Sequence, residues 1–461
     1  ILRCLEKNPD HRYQTCLDLA ADLRRVVDIG RANDQSLVVL YFENMSGDQN
    51  AYFRDGITED ITTELARMKE LRLFSRSAVL PYRDKPVTPS FVGQKLGAAY
   101  VLEGSVRREG ERLRVSANLV KTRTGLTLWA ERYDREFRDI FAIQEDIARS
   151  IAAALKLVLT EKEVRAISKP ATSNVSAYDF YLRGRHFFHQ FRRRGYVLAR
   201  EMFEKAIEAD PKFARAYAGI ADCWAFEYMY WDSRPELLEQ ADAASRKALD
   251  LDPTQAEGHA SRGMTASLCK RFDEAQTEFE TAIRLNPKLF EAYYFFARLM
   301  YSRGNLEEAC QIFEQASRVS EEYQALMLWA STLNGLGRSA EAAVVYRRGV
   351  LAAEKHLEFH PEDVRALYFG ANGLTQLGEK DRARRWVARA LDLEGEEPLV
   401  VYNVACVYAL LGDVEPAIDC LERSVTKGFA QKEWMKNDPD LECVRAHPRF
   451  KKLVGDSGNY S

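Results

Sequence analysis

Asp55 and Glu59, and again Asp60 and Glu64, stand four residues apart in YFRDGITEDITTELARM. That spacing brings side chains together along a helix. Rows of carboxylates are what Mg2+ and Ca2+ take as ligands. No His or Cys joins these four, so the expectation is a solvated acidic helix surface rather than a metal site. HFFH sets His186 and His189 three apart, two imidazoles without an evident third ligand. The run Arg192–Arg194 offers guanidinium groups to an anionic partner, but in a connection between helices it reads as solvated surface. Gly47, Gly56, Gly104 and Gly110 make neither G-x-G-x-x-G nor a P-loop. The eight cysteines are scattered without a Cys-x-x-Cys pair and sit beside Ala and Leu, as buried thiols in a reducing compartment do. No catalytic, metal-binding or cofactor-binding residue is therefore assigned.

The bulk composition agrees. The chain has 461 residues, 66 basic and 69 acidic, with a net charge of −3. That balance gives no field for nucleic acid or a membrane surface. No apolar run approaches the ~20 residues of a membrane span, and no signal peptide is visible. A cytoplasmic location is expected. The length suits about two to four domains.

The elements that would position a site are mostly helical. From about Ala177, stretches such as AREMFEKAIEADP, AQTEFETAIRLNP and ACQIFEQASRVSE place apolar residues at the helical period, and Asp-Pro or Asn-Pro stops several of them. Each follows a second amphipathic stretch, such as ARAYAGIADCWAF or FEAYYFFARLMYS. Pro253 and Pro287 are 34 residues apart, as are Ala275 and Ala309. Gly304, Gly337, Gly378 and Gly412 mark the turns.

This pattern resembles the tetratricopeptide repeat. Small residues fill the close crossing of the first helices: Ala221, Gly263, Ala297, Ala330, Ala371 and Ala405. Ala199, Ala275, Ala309, Ala342, Ala383 and Ala417 open the second helices; Phe203, Phe279, Phe313 and Tyr346 fill their large-residue position. Tyr217, Tyr293 and Tyr408 supply further aromatic knobs. About seven units are expected over 177–430, two of them lengthened by EYMYWDSRPELLEQ and LAAEKHLEFHP. A non-repeating helical bundle is the alternative. The resemblance implies an all-α solenoid with a concave groove lined by first helices. Tyr294, Arg298, Tyr301, Asn334, Arg365, Tyr368 and Asn372 should face it, residue types suited to an extended protein or peptide ligand. A merely solvated face is the competing reading.

Residues 36–160 differ. SLVVLYF and LRLFSRSAV read as strands, as do three segments within YVLEGSVRREGERLRVSANLVKTRTGLTLWAERYD, turning at Gly110 and Gly125. Helical patterns cover AYFRDGITEDITTELARM, PSFVGQKLGAAY and Asp139–Leu159, and NMSGD reads as a loop. The order implies an α+β or α/β sandwich. Its YFRDGITEDITTELARM and YVLEGSVRREGERLRVSANLV resemble a module found beside bacterial signalling output domains, distantly similar to the amino-terminal domain of TolB. That resemblance implies a sensing or docking role without catalysis.

CLEKNPDHRYQT, near the start, resembles the final helices of eukaryotic-like serine/threonine kinases, with Arg12 at the family's salt-bridging arginine. Residues 1–28 are accordingly expected to be a remnant of a kinase carboxy-terminal lobe, and Ile1 to begin a fragment. The Gly-rich loop, strand lysine, His-Arg-Asp and Asp-Phe-Gly motifs are not in this sequence. ATP and Mg2+ would belong to a separate catalytic lobe, so the chain itself is expected to be non-catalytic. The expected function is partner or substrate recruitment in a bacterial kinase. The alternatives are a stand-alone scaffold, or the regulatory half of an adenylate cyclase or winged-helix regulator. Residues 431–461, with Trp434, Leu441, Phe450 and Leu453, should cap the solenoid; an interface is the alternative.

Overall fold

The structure, a computed structural model, describes residues 35–455 apart from 48–49, 67, 69, 75, 156, 158–171, 191–192, 233, 359, 430–434 and 437. The kinase-like segment 1–28, Arg192 and Trp434 lie outside the described residues. The chain divides into two compact units, one of residues 1–74 and 82–169, the other of 75–81 and 170–461.

In the first unit, strand β1 (Ser36–Val39) is buried along its whole length, as its uninterrupted apolar sequence demands of an interior parallel strand. It lies between β3 (Arg72–Leu73) and β4 (Tyr100–Glu109), parallel to both. The two-residue β2 (Glu43–Asn44) also pairs with β4, where a loop was expected. Strand β4 continues into a meander with β5 (Arg112–Lys121) and β6 (Thr127–Glu136), giving the sheet order β3-β1-β4-β5-β6. Gly110 (φ 57°) and Gly125 (φ 70°) turn the meander in the left-handed region. Gly104 is needed for a different reason: a Cβ there would lie 2.2 Å from the Ser116 carbonyl oxygen. Leu113, Val115, Ala117 and Leu119 of β5 are fully buried, whereas Arg114, Ser116 and Asn118 alternate with them on the other face. Helices α1 (Ala51–Ala66) and α3 (Ile140–Ala154) pack together, with α3 against β5 and β6 and α1 against β2 and β3; α2 (Pro89–Leu96) packs on β4 and β5.

The acidic row corrects the sequence reading. Asp55 and Asp60 are buried, not solvated. Helix α1 buries ten of its residues, charged ones included. Asp55 accepts from Arg54 and Arg83, each at 2.8 Å, and Arg54 also bonds Asp84. Burial by itself pushes the Asp55 carboxyl upward against these arginines. Buried charges persist when partners satisfy them, and local sequence spacing does not reveal such partners.

The second unit is seven helical hairpins among the described residues. They are α4 (Val175–Phe188) with α5 (Arg193–Ala209), α6 (Ala214–Tyr230) with α7 (Pro235–Leu251), and α8 (Ala256–Leu268) with α9 (Phe272–Leu285). Then come α10 (Phe290–Ser302) with α11 (Leu306–Val319), and α12 (Tyr323–Gly335) with α13 (Ser339–Leu357). Last are α14 (Val364–Gln376) with α15 (Lys380–Glu394), and α16 (Pro398–Leu411) with α17 (Val414–Thr426). The alanines assigned to the crossings are buried throughout, and Phe203, Phe279 and Phe313 are almost wholly enclosed. The reason is close approach. A Cβ on Gly263 would stand 2.8 Å from the Phe279 ring, so only a small residue lets these helices meet. Gly304, Gly337, Gly378 and Gly412 turn with φ between 75° and 83°. After α17, a 3-10 turn (Pro439–Val444) and α18 (Pro448–Val454) bury Leu441, Val444 and Phe450 on the last hairpin. Leu453 packs partly buried against the same core.

Candidate peptide-binding site

The seven residues predicted to line the groove fall into two groups. The first is built around Tyr230, at the carboxy-terminal end of α6. Arg298, on α10, donates to the Tyr230 hydroxyl at 3.1 Å and lies 5.5 Å and 5.7 Å over the rings of Tyr294 and Phe295. Arg365, at the start of α14, donates to Gln324 Oε1 at 2.5 Å, and the Tyr294 hydroxyl donates to the same oxygen at 3.3 Å. Tyr368 is buried beside Arg365, whose charge acts on Tyr230 as well. The two guanidiniums pull the Tyr230 hydroxyl below its ordinary pKa, whereas burial pushes Tyr294 up to about 12.

A hydrogen-bonded chain carries this group outward. Gln324 Nε2 donates to the Tyr323 hydroxyl, which donates to Asp363, which pairs with His356 at 2.7 Å. Asp363 also caps α14 by accepting from the amides of Arg365 and Ala366. Those partners overcome burial and hold its carboxyl near 2. Glu322 caps α12 in the same way, yet burial prevails there and lifts its carboxyl to about 7. Asp222, on α6, is raised to about 7 as well, by burial and the nearby Glu291, although Ser261 hydrogen-bonds it.

The second group holds Tyr301, Asn334 and Asn372. Asn334 hydrogen-bonds Tyr346, and Tyr301 lies close enough to act on the same hydroxyl. Asn372 donates to Asp440 at 3.1 Å, so the turn after α17 reaches back 68 residues to a first helix. Tyr402 donates to Asp438 at 2.5 Å, and its ring stacks on Phe429 at 4.3 Å. The Asp440 carboxyl is held up by burial and by Asp438 beside it. Cys406, Asp438 and Asp440 bring three ligand atoms within 4.8 Å of one another, a thiol and two carboxylates that suit a zinc-type ion. Hydrogen bonds from Cys406, Tyr402 and Asn372 already engage these carboxylates.

The arrangement offers tyrosine hydroxyls, amides and two guanidiniums on a partly apolar wall. That chemistry can grip a polypeptide. The structure brings the seven predicted residues into these two groups, and sequence reasoning did not name the partners Tyr230, Tyr323, Gln324, Asp363 and Asp440 that join them. The extra length of the unit containing EYMYWDSRPELLEQ was the available signal for Tyr230. Asp438 and Asp440 meet Tyr402 and Asn372 only through the cap, for which no spacing rule exists. His189 sits 3.3 Å from the Arg185 guanidinium on α4, and the described residues bring no metal-binding trio to it.

Comparison with known proteins bears on the helical unit. The family model described as tetratricopeptide repeat matches residues 270–330. A protein of Rhizobium meliloti (strain 1021), provisionally named adenylate cyclase 3, is 38% identical over 244 residues, 52% of this chain and 42% of that protein. Mitochondrial import receptor subunit TOM70 of Homo sapiens is 25% identical over 241 residues, 49% of this chain and 37% of the receptor. The chain thus spans less than half the length of either relative. The crystal structure of a tetratricopeptide repeat protein from Parabacteroides merdae aligns at TM-score 0.36 and 16% identity, covering 61% of this chain and 99% of that one. Residues 270–330, within the unit of seven helical hairpins, therefore match the tetratricopeptide repeat, and the other unit holds a small mixed sheet. Among the described residues, no helix is long and apolar enough to cross a membrane.

Proposed function

We propose that this chain is the partner-binding, regulatory part of a larger signalling enzyme and recruits protein or peptide ligands along the inner wall of its solenoid. One observation carries the reading: first-helix residues of three successive units, Tyr294, Gln324 and Arg365, meet on one amide oxygen, while Arg298, Asn372 and Tyr402 make hydrogen bonds to Tyr230, Asp440 and Asp438. Rigid tyrosines with satisfied hydroxyls lose little entropy when they bind. The mixed-sheet unit, by its likeness to the TolB-type module, would sense a signal or dock a second partner.

Two output enzymes fit. CLEKNPDHRYQT supports a serine/threonine kinase lobe, with ATP and Mg2+ held there. The 38% identity to the Rhizobium meliloti protein supports an adenylate cyclase instead. The gene product assayed with ATP distinguishes them: transfer of phosphate to protein serves the first, and release of cyclic AMP the second. The groove itself is tested by selecting displayed random peptides on the chain. Enriched peptides should bind Tyr301→Ala or Asn334→Ala at least about tenfold more weakly. Failure to enrich any peptide, or binding indifferent to both substitutions, would sink the recruitment reading.

A further inference from the structure

Strand β6 is the last strand of the sheet and exposes most of its ten residues; Leu128 is 46% exposed. Unpaired edges invite a further strand, and proteins usually blunt them with charge. The charges on β6 do something else. Glu131-Arg132-Tyr133-Asp134-Arg135 is complementary to its own reverse. If a second β6 runs antiparallel with Tyr133 opposite Tyr133, then Arg132 faces Asp134 and Glu131 faces Arg135, twice each. Trp129 then falls opposite Phe137. We infer that the free edge of β6 pairs with β6 of a second copy of this chain, about a two-fold axis at Tyr133.

The backbone permits this register. The Phe137 amide donates to the Glu111 carbonyl at 2.7 Å, in line with a ladder in which Arg135 faces Leu113 and Tyr133 faces Val115. Hydrogen-bonded pairs alternate along an antiparallel ladder. Tyr133 and Arg135 therefore bond toward β5, and Ala130, Arg132 and Asp134 turn their N–H and C=O to the free side. In the proposed dimer Arg132 and Asp134 of opposite copies exchange both backbone hydrogen bonds. A slip of one residue sets outward amides against inward ones. A slip that moves the axis to Arg132 or Asp134 puts each of those charges opposite itself, which is destabilising. Of the registers centred on Arg132, Tyr133 and Asp134, only the one at Tyr133 satisfies backbone and charge together.

The face parity is consistent as well. Asp134 already bonds Arg114 at 2.7 Å and Arg112 at 3.3 Å and lies 3.8 Å from its own Arg132 on the open side of the sheet, where Arg132 is 62% exposed. Arg135 pairs with Asp146 of α3 on the other side. In the dimer each Arg132 would exchange this long contact with its own Asp134 for the partner's, so the number of arginines around each carboxylate stays the same. Symmetric pairing of this kind is the commonest route to a homodimer.

Sedimentation velocity on the chain over a concentration series, joined to amide hydrogen exchange, tests the inference. A reversible dimer is expected, with the Ala130, Arg132 and Asp134 amides slowing as concentration rises. Arg132→Glu should weaken association about tenfold or more, since it places like charges opposite each other twice. Arg132→Pro should abolish association while leaving circular dichroism unchanged, because among the described residues that N–H points away from β5 and takes no backbone partner in the ladder. A chain that stays monomeric at every concentration overturns the proposal. So does a dimer that leaves the Arg132 amide unprotected, or one that survives Arg132→Pro. Should that variant misfold, exchange on the unaltered chain still decides.

Discussion

The mixed-sheet unit and the Arg298 group of the solenoid bury charge in opposite ways, although elsewhere in the solenoid Arg262 is enclosed by Asp242 and Glu274 much as Arg54 is by its carboxylates. In the first, Arg54 and Asp55 are enclosed together, and Asp84 and Arg83 complete the ion pairs at the edge. In the second, Arg298 is held by a tyrosine hydroxyl, a methionine sulfur and aromatic faces, with no carboxylate ion pair. Full ion pairs fix one packing and leave nothing for a visitor. A guanidinium held by neutral groups keeps its charge unspent. The contrast separates a charge neutralised in place from one stabilised by neutral groups, the feature on which the recruitment proposed above relies.

Phe279→Ala should break the solenoid hardest. The ring is wholly enclosed between hairpins, and its loss costs about 4 kcal/mol. Calorimetry should show the solenoid transition falling while the sheet unit's melting holds; a shift in both would mean that the units unfold as one. Next comes Arg54→Ala, which strands the buried Asp55 and should cost about 3 kcal/mol, this time in the sheet unit. A loss below about 1 kcal/mol would show that Arg83 alone satisfies Asp55.

Glu322 gives a smaller, pH-dependent effect. Its folded carboxyl sits near 7, above the ordinary 4.5, so the folded state holds that proton more tightly than the unfolded chain. Its contribution to stability is full below about pH 4.5 and is lost as pH rises through about 7. Glu322→Gln should flatten that slope and raise stability at pH 8 by roughly 1–2 kcal/mol. An unchanged slope would show that Arg365 and the two capped amides already outweigh burial. Smallest is Arg318→Ala, which removes an exposed pair with Glu314 on one helix and should cost no more than about 0.5 kcal/mol. Chemical denaturation would expose a larger role.

What the sequence disclosed follows the same division. The hairpins were legible because each repeats a small residue where helices cross, and one repeat corroborates the next. The meander was legible because β5 alternates and Gly110 and Gly125 punctuate it. Strand β2 was not recoverable, and β3 is only two residues of the longer strand read in LRLFSRSAV, whose Arg76–Val79 is helical; two residues carry no alternation, and their pairing comes from β1 and β4. The enclosure of Asp55 and Asp60 escaped for a related reason, since Arg83 and Asp84 lie outside α1. For the seven first-helix residues named from the sequence, spacing could not supply their hydrogen-bonding mates. Tyr230 meets Arg298 across 68 positions, and Asp440 meets Asn372 across 68 more.

That last meeting has a directional consequence. With Asp438 and Asp440 bonded to Tyr402 and Asn372, the carboxy-terminal turn laces the first helices of the last two hairpins to each other. Under the recruitment proposed above, a strand held along the repeats would meet that lacing as a stop before α16.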